Sequence, residues 1–246
     1  MPKKNILKVR DKTDSYYTEM DKLFNLPFKL LINGKSQLSG KTTIILNLIL
    51  RNAYYKDKFD GENIFIVSNN KLDNKLKILM EQKDIPKANF MKYDEDELEI
   101  LYEQLEDEFL EEVNDKKKPS NRLIIFDDVA YSGNLKNKTA GMISKIVMNG
   151  RHLCLSSIFT TQKFSLVSTG VRTNLTGAIL FNTSQKELEI IADDFNYLPK
   201  KSQFIQMFRD ATQEKNSFLV VNFSNKGNEM YLDSNFEPID TSKYTS

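Results

Sequence analysis

The chain has 246 residues, with 35 lysines and arginines against 34 aspartates and glutamates and a formal net charge of +1. That length suits one large domain or two small ones, and the balanced charge excludes a bulk positive field, so any nucleic-acid contact must come from a local stripe or a lined channel. One cysteine, Cys154, and one histidine, His152, exclude a disulfide framework, a multi-cysteine zinc site and a histidine-based metal cluster. No apolar run approaches the roughly 20 residues that span a membrane, and the opening MPKKNILKVRDK lacks the apolar core of a secretion signal. The expectation is a soluble intracellular chain with no membrane partner.

In chain order, residues 1–27 form an N-terminal segment, and the first buried strand is predicted at 28–33, FKLLIN. The loop that follows, GKSQLSGKTT, leads into TTIILNLILRNAYY, whose apolar residues lie on one helical face. Strand, small-residue loop and helix in that order are what a phosphate cradle requires, because backbone N–H groups and a helix N-terminus must turn toward the anion. Gly34, Lys35, Ser36 and Gln37 open the candidate nucleotide loop, and Leu38, Ser39 and Gly40 close it. Lys41 would reach the β- and γ-phosphates, Thr42 would place its hydroxyl on Mg²⁺, and Thr43 continues the contact. The first glycine stands one residue earlier than the usual spacing, at Gly34 with Lys35 in the expected place.

Further strands are expected at 63–68, at 89–93 and at 122–127. Between the last two, residues 94–112 carry Leu98, Leu101, Leu105 and Phe109 at helical spacing, which predicts an amphipathic helix with a solvated acidic face. Residues 122–127 end on Asp127, with Asp128 next, placing two carboxylates at the C-terminal end of a buried strand, the end where open α/β sheets bind ligands. Asp127 is the candidate Mg²⁺ ligand and Asp128 the candidate general base for an attacking water. The segment 131–139 follows and carries Lys136 and Lys138, which on the residues alone fit a solvated loop.

A strand at 155–161 ends at Gln162, which could sense a γ-phosphate or orient water, or could simply close a strand. Arg151 precedes that strand and Arg172 follows it; either could supply transition-state charge, although a surface ion pair is the usual place of an arginine. A strand at 178–182, a hairpin turning at 225–228 and a mobile polar tail over 233–246 complete the expectation. Alternating strands and helices predict an α/β fold, a mainly parallel sheet with helices on both faces and a C-terminal β-hairpin, in one domain over 28–232.

The ordered set GKSQLSGKTT, LIIFDD, GRH with SSIFTTQ, and VRTN before AILF resembles the FtsK-HerA class of DNA-translocating ATPases. Within that class it is most similar to the virion genome-packaging ATPases of poxviruses, other large DNA viruses and virophages, over about residues 28–195. The resemblance implies a P-loop NTPase (RecA/ASCE-like) fold for an ATPase domain over 28–232, Walker A roles for Lys41 and Thr42, Walker B and catalytic-acid roles for Asp127 and Asp128, a sensor at Gln162, an arginine finger at Arg151, with Arg172 second, and candidate DNA-channel contacts at Lys136 and Lys138. It also implies ATP and Mg²⁺ as cofactors, sequence-independent double-stranded DNA as partner, a homo-oligomeric pentamer or hexamer ring, a capsid or portal-vertex protein, and residence in the virus factory of the host cytoplasm and in the virion. Asp128, where cellular translocases often carry Glu, departs from the pattern, as does Gly34. Alternative readings are a nucleoside or nucleotide kinase, which shares the SGKTT loop, a P-loop ATPase that does not package DNA, and a non-catalytic scaffold that keeps the fold.

Overall fold

The computed structural model describes residues 23–35, 40–70, 73–129, 141–225 and 229–245. Among these residues eight strands form one sheet: β1 (Lys29–Asn33), β2 (Ile64–Ser68), β3 (Phe90–Met91), β4 (Arg122–Asp127), β5 (Leu155–Thr161), β6 (Gly177–Phe181), β7 (Phe218–Asn222) and β8 (Tyr231–Leu232), in the order β3-β2-β4-β5-β1-β6-β7-β8. The pairings from β3 to β6 are all parallel, and β7 and β8 join antiparallel. The 89–93 strand contracts to two residues, because it pairs only with Ile66 and Val67 at the sheet edge.

Near-continuous apolar runs in β1, β2, β4 and β6 reflect burial on both faces. Along β4, Ile124 and Phe126 face one core and Leu123 and Ile125 the other, the two-residue period of a strand. The first core is covered by α3 (Glu95–Asn114), α4 (Met142–Asn149), α6 (Gln185–Phe195) and α7 (Lys201–Ala211). The second is covered by α1 (Lys41–Leu50) and α2 (Asn74–Gln82) together with Phe24, Phe28, Tyr55 and Phe59. The amphipathic helix therefore sits where expected, with Leu98, Leu101, Leu105 and Phe109 buried. Asp94 caps it, accepting from the N–H groups of Asp96 and Glu97. Glu95 then accepts from the Met142 N–H at 2.8 Å, fastening α3 to the start of α4.

Two boundaries differ from expectation. Phe24 and Leu26 are buried, so the packed structure begins before residue 28. The segment expected as a free tail after residue 232 returns to the sheet: Asp233 N–H donates to Glu237 O, Ile239 N–H donates to Tyr231 O, and Ile239 and Tyr244 pack against the first core. Apolar residues spaced too widely to register as an element carry that return. The hairpin of β7 and β8 forms, while 226–228 of its turn lie outside the described residues.

Candidate functional site

The candidate site is built at the C-terminal ends of β1, β4 and β5. β1 ends at Asn33, and Gly34 N–H donates to Thr161 O at 3.0 Å, which pins the entry of the loop to the end of β5. Gly40 sits at φ 76°, a left-handed conformation that a residue with a Cβ adopts only under strain, and it starts α1 with no side-chain cap. The first turn of α1 carries no acidic residue, so the positive end of its dipole favours an anion.

Lys41 is only 8% exposed, and its Nζ donates to Gly34 O at 2.8 Å and reaches Lys35 O at 3.5 Å. Its ammonium is thus folded back over the loop it follows. Burial pulls its pKa below the usual range, and the Asp128 and Asp127 carboxylates pull the other way. Thr42 is half-buried beside it.

Thr160 joins the two carboxylates. Its Oγ1 accepts from Asp128 N–H at 2.9 Å and donates to Asp127 Oδ1 at 2.8 Å. Burial raises the Asp127 pKa, the Thr160 hydroxyl opposes that, Asp128 and Asp73 add to it, and Lys41 opposes it. Asp128 has left the strand, at φ 51°. Gln162 Nε2 donates to Asp128 Oδ2 at 3.2 Å, while Asp128 Oδ1 is buried and has no hydrogen-bond partner among the described residues. Asn33 Oδ1, on the last residue of β1, is likewise buried with no hydrogen-bond partner among the described residues.

Lys41, Asp127, Asp128 and Gln162 are therefore brought together with Gly34, Lys35 and Gly40. Ser36, Gln37, Leu38 and Ser39, and likewise Lys136 and Lys138, lie outside the described residues.

Arg151 and Arg172 are not part of this cluster. Arg151 is exposed in a 3-10 turn, Gly150–Leu153, that feeds the N-terminal end of β5, so the seven residues of β5 separate it from Gln162, about 20 Å at the rise of a strand. It lies close enough to Lys29, the first residue of β1, to lower that lysine's pKa, after burial as the larger cause. Arg172, in the short helix α5 (Thr169–Arg172), is committed within the chain: it pairs with Asp194 in the last turn of α6, donates to Thr169 Oγ1 at 3.3 Å and lies 5.1 Å from the Phe164 ring centroid. Cys154 is buried, and burial pushes its thiol up to about 11, the state of an unreactive structural cysteine.

Sequence reasoning missed the contribution of the segment after β2. Lys75 Nζ donates to Thr43 Oγ1 at 2.7 Å, and Asp73, which caps α2 through Leu76 N–H at 2.7 Å, lies near enough to bear on Asp127. β2 pairs directly with β4, Ser68 opposite Asp127, so the chain leaving β2 emerges beside the carboxylates. The polar run SNNKLDNK after an apolar strand was the available signal.

Comparison with known proteins bears on the fold and the family. The protein resembles the solved genome-packaging NTPase B204 of Sulfolobus turreted icosahedral virus 2 in complex with sulfate, with 17% identity, a TM-score of 0.57, and coverage of 83% of this chain and 95% of that one. The AMPPCP complex of the same NTPase matches with 16% identity, a TM-score of 0.53 and coverage of 80% and 93%. The cytoplasmic domain of the type VII secretion ATPase EccC from Thermomonospora curvata matches with 15% identity and a TM-score of 0.52, over 81% of this chain and 24% of that one. At such identities the likeness is one of fold, and the fold is that of the P-loop ATPases. No curated protein sequence is similar enough to match. The family profile described as Poxvirus A32 protein matches residues 16–238, nearly the whole chain, and the protein belongs to that family.

Proposed function

We propose that this chain is an ATP-driven motor that moves double-stranded DNA into a viral capsid and works as a homo-oligomeric ring. The observation that carries the reading is the division of labour between the two rims of the sheet. Lys41, Asp127, Asp128 and Gln162 gather at the C-terminal rim, and the exposed Arg151 sits at the N-terminal rim. One copy cannot bring Arg151 to its own site. A head-to-tail contact can bring it to the next copy's, and such heterologous contacts close into rings when the rotation permits; a pentamer or a hexamer would serve.

The donors fit ATP with Mg²⁺. Among the described residues no group of three or more His, Cys, Asp or Glu could hold a metal alone, and Mg²⁺ commonly binds through one or two carboxylates plus substrate phosphates. Thr42 and Asp127 would hold the ion, which supplies charge neutralisation at the phosphates. Lys41 would exchange its Gly34 carbonyl for phosphate oxygens. Asp128, with Oδ1 open and Oδ2 tied to Gln162, would take a proton from the attacking water, and Gln162 would hold that water in line. Arg151 of a neighbouring copy would offset charge developing on the transferring phosphoryl group, a contribution worth about 10³ to 10⁵ in rate.

B204 is described as a genome-packaging NTPase, and the shared fold and family support the same work here. DNA would be held through phosphates without base reading, with Lys136 and Lys138 as channel contacts. A capsid or portal-vertex protein would be the docking partner, in the virus factory or the virion. No helix among the described residues is long and apolar enough to cross a membrane. The test is ATP turnover per chain as a function of protein concentration, with and without duplex DNA. The reading expects cooperative onset with assembly and stimulation by DNA; a constant turnover per chain in a monomeric preparation would contradict it.

A further inference from the structure

Beside the phosphate loop lies a hollow of about 410 Å³ that the catalytic reading leaves unused; Lys35, Phe181, Asn182, Thr212, Gln213 and Asn216 are among its walls. We propose that this hollow takes the base and sugar of the nucleoside triphosphate whose phosphates the loop holds. The inference rests on the ATPase reading above and adds to it where the nucleoside goes.

Sheet order supplies the first argument. β5 and β4, which carry Gln162 and Asp127, lie on one side of β1, and β6 and β7 lie on the other. The reacting end of the triphosphate belongs with the carboxylates. The nucleoside end must then leave β1 toward β6. Asn182 directly follows β6 and Ser217 directly precedes the antiparallel β7, so the hollow opens at the same rim as the phosphate loop, on the vacant side. Lys35 makes the two sites continuous, because its carbonyl lies 3.5 Å from Lys41 Nζ while its residue walls the hollow.

Shape and chemistry agree. The volume falls in the range of about 300–1,000 Å³ found for small-molecule sites. Phe181, buried and edge-on to Phe218 at 5.3 Å between centroids, gives an apolar wall. The amides of Asn182 and Gln213 each offer a donor and an acceptor, as the edge of a nucleobase requires. Asn182 Nδ2 reaches Thr212 O at only 3.5 Å, a weak bond that a ligand could replace. The opposite rim holds its own shape. Thr212 is buried and bonds back to Phe208 O through both its N–H and its hydroxyl, and Ser217 donates to Glu214 O from its N–H at 3.2 Å and its hydroxyl at 2.8 Å. Asn216 is held between them at φ 66°.

The experiment compares ATP with inorganic tripolyphosphate, which has the phosphates and no nucleoside. Dissociation constants for both, each with Mg²⁺, are measured by calorimetry on the full chain and on the double variant Asn182→Ala/Gln213→Ala. Both positions are exposed, and thermal melting verifies the fold. The unaltered chain should bind ATP at least tenfold more tightly than tripolyphosphate. The double variant should lose about tenfold in ATP affinity, the loss expected for two hydrogen bonds, and keep its tripolyphosphate affinity within twofold. Equal affinity of the unaltered chain for the two ligands would overturn the proposal, as would an ATP affinity unchanged in the variant or a parallel loss of both ligands. Failure of the unaltered chain to bind either ligand would instead remove the ATPase reading, and this proposal with it.

Discussion

Gln162 and Asp128, 34 positions apart, meet in a hydrogen bond of 3.2 Å that links the end of β5 to the residue after β4. Asp128 Oδ1 is buried and has no hydrogen-bond partner among the described residues. Asp128→Asn should therefore bind ATP with near-unchanged affinity and lose about 10²- to 10⁴-fold in turnover, the usual worth of a general base. Single-turnover hydrolysis beside equilibrium binding checks this. Turnover within threefold of the unaltered chain would remove Asp128 from the mechanism.

Lys41→Ala should weaken ATP binding by about 10- to 100-fold, the cost of one charge-assisted contact, and abolish measurable hydrolysis. Its fold should persist, since the ammonium bonds only to loop carbonyls at Gly34 and Lys35. Circular dichroism and ATP titration read the two effects separately.

Asp127 gives a prediction about stability against pH. Its folded-state pKa is raised, chiefly by burial and further by Asp128 and Asp73. A raised carboxyl pKa means that the folded chain holds this proton more tightly than the unfolded one, so the stability it contributes at low pH is lost as pH rises from the unfolded toward the folded value. Asp127→Asn keeps an acceptor for the Thr160 hydroxyl and removes the charge. In the absence of nucleotide it should melt a few degrees higher at neutral pH, with the gain disappearing as pH falls below the normal aspartate range. Binding of Mg²⁺-ATP should fall at the same time. A variant that melts lower at neutral pH and equally low in acid would contradict the sign.

The two arginines should separate by melting. Arg172 is tied to Asp194, Thr169 and the Phe164 ring, with its side chain 16% exposed. Arg172→Ala strands a half-buried carboxylate and should cost about 2 kcal/mol, roughly 4–8 °C in Tm. Arg151 is exposed at its turn, and Arg151→Ala should melt within a degree or so of the unaltered chain. Equal losses in the two variants would make Arg151 a structural residue.

Much of the site could be read in the sequence because its parts are local. A buried strand, a small-residue loop and a helix in succession place Lys41, and an apolar strand running into two aspartates places Asp127 and Asp128 at a sheet rim. What could not be read depends on neighbours across the sheet. Lys75 and Asp73 reach the site only because β2 pairs with β4, and no periodicity announces a lateral pairing. The pairing of Arg172 with Asp194 is equally hidden in the sequence, because α6 delivers that carboxylate 22 positions later. The segment after β8 looked free because Ile239 and Tyr244 are isolated apolar residues in a polar run, yet each finds a place on the first core. Long-range packing decides such residues, and composition does not.

Whether the ring reading holds turns on Arg151 acting between copies. Arg151→Ala and Lys41→Ala chains are each expected to be inactive alone, one lacking the arginine and the other the phosphate contact. Mixed in equal amounts they can form interfaces that join an intact phosphate site to an intact arginine. The measurement is steady-state ATPase activity of the mixture with duplex DNA, in preparations verified as oligomeric. The account predicts activity clearly above the sum of the two separate variants, at a fraction of the unaltered level. A mixture no more active than that sum, or Arg151→Ala alone near the unaltered rate, would contradict it.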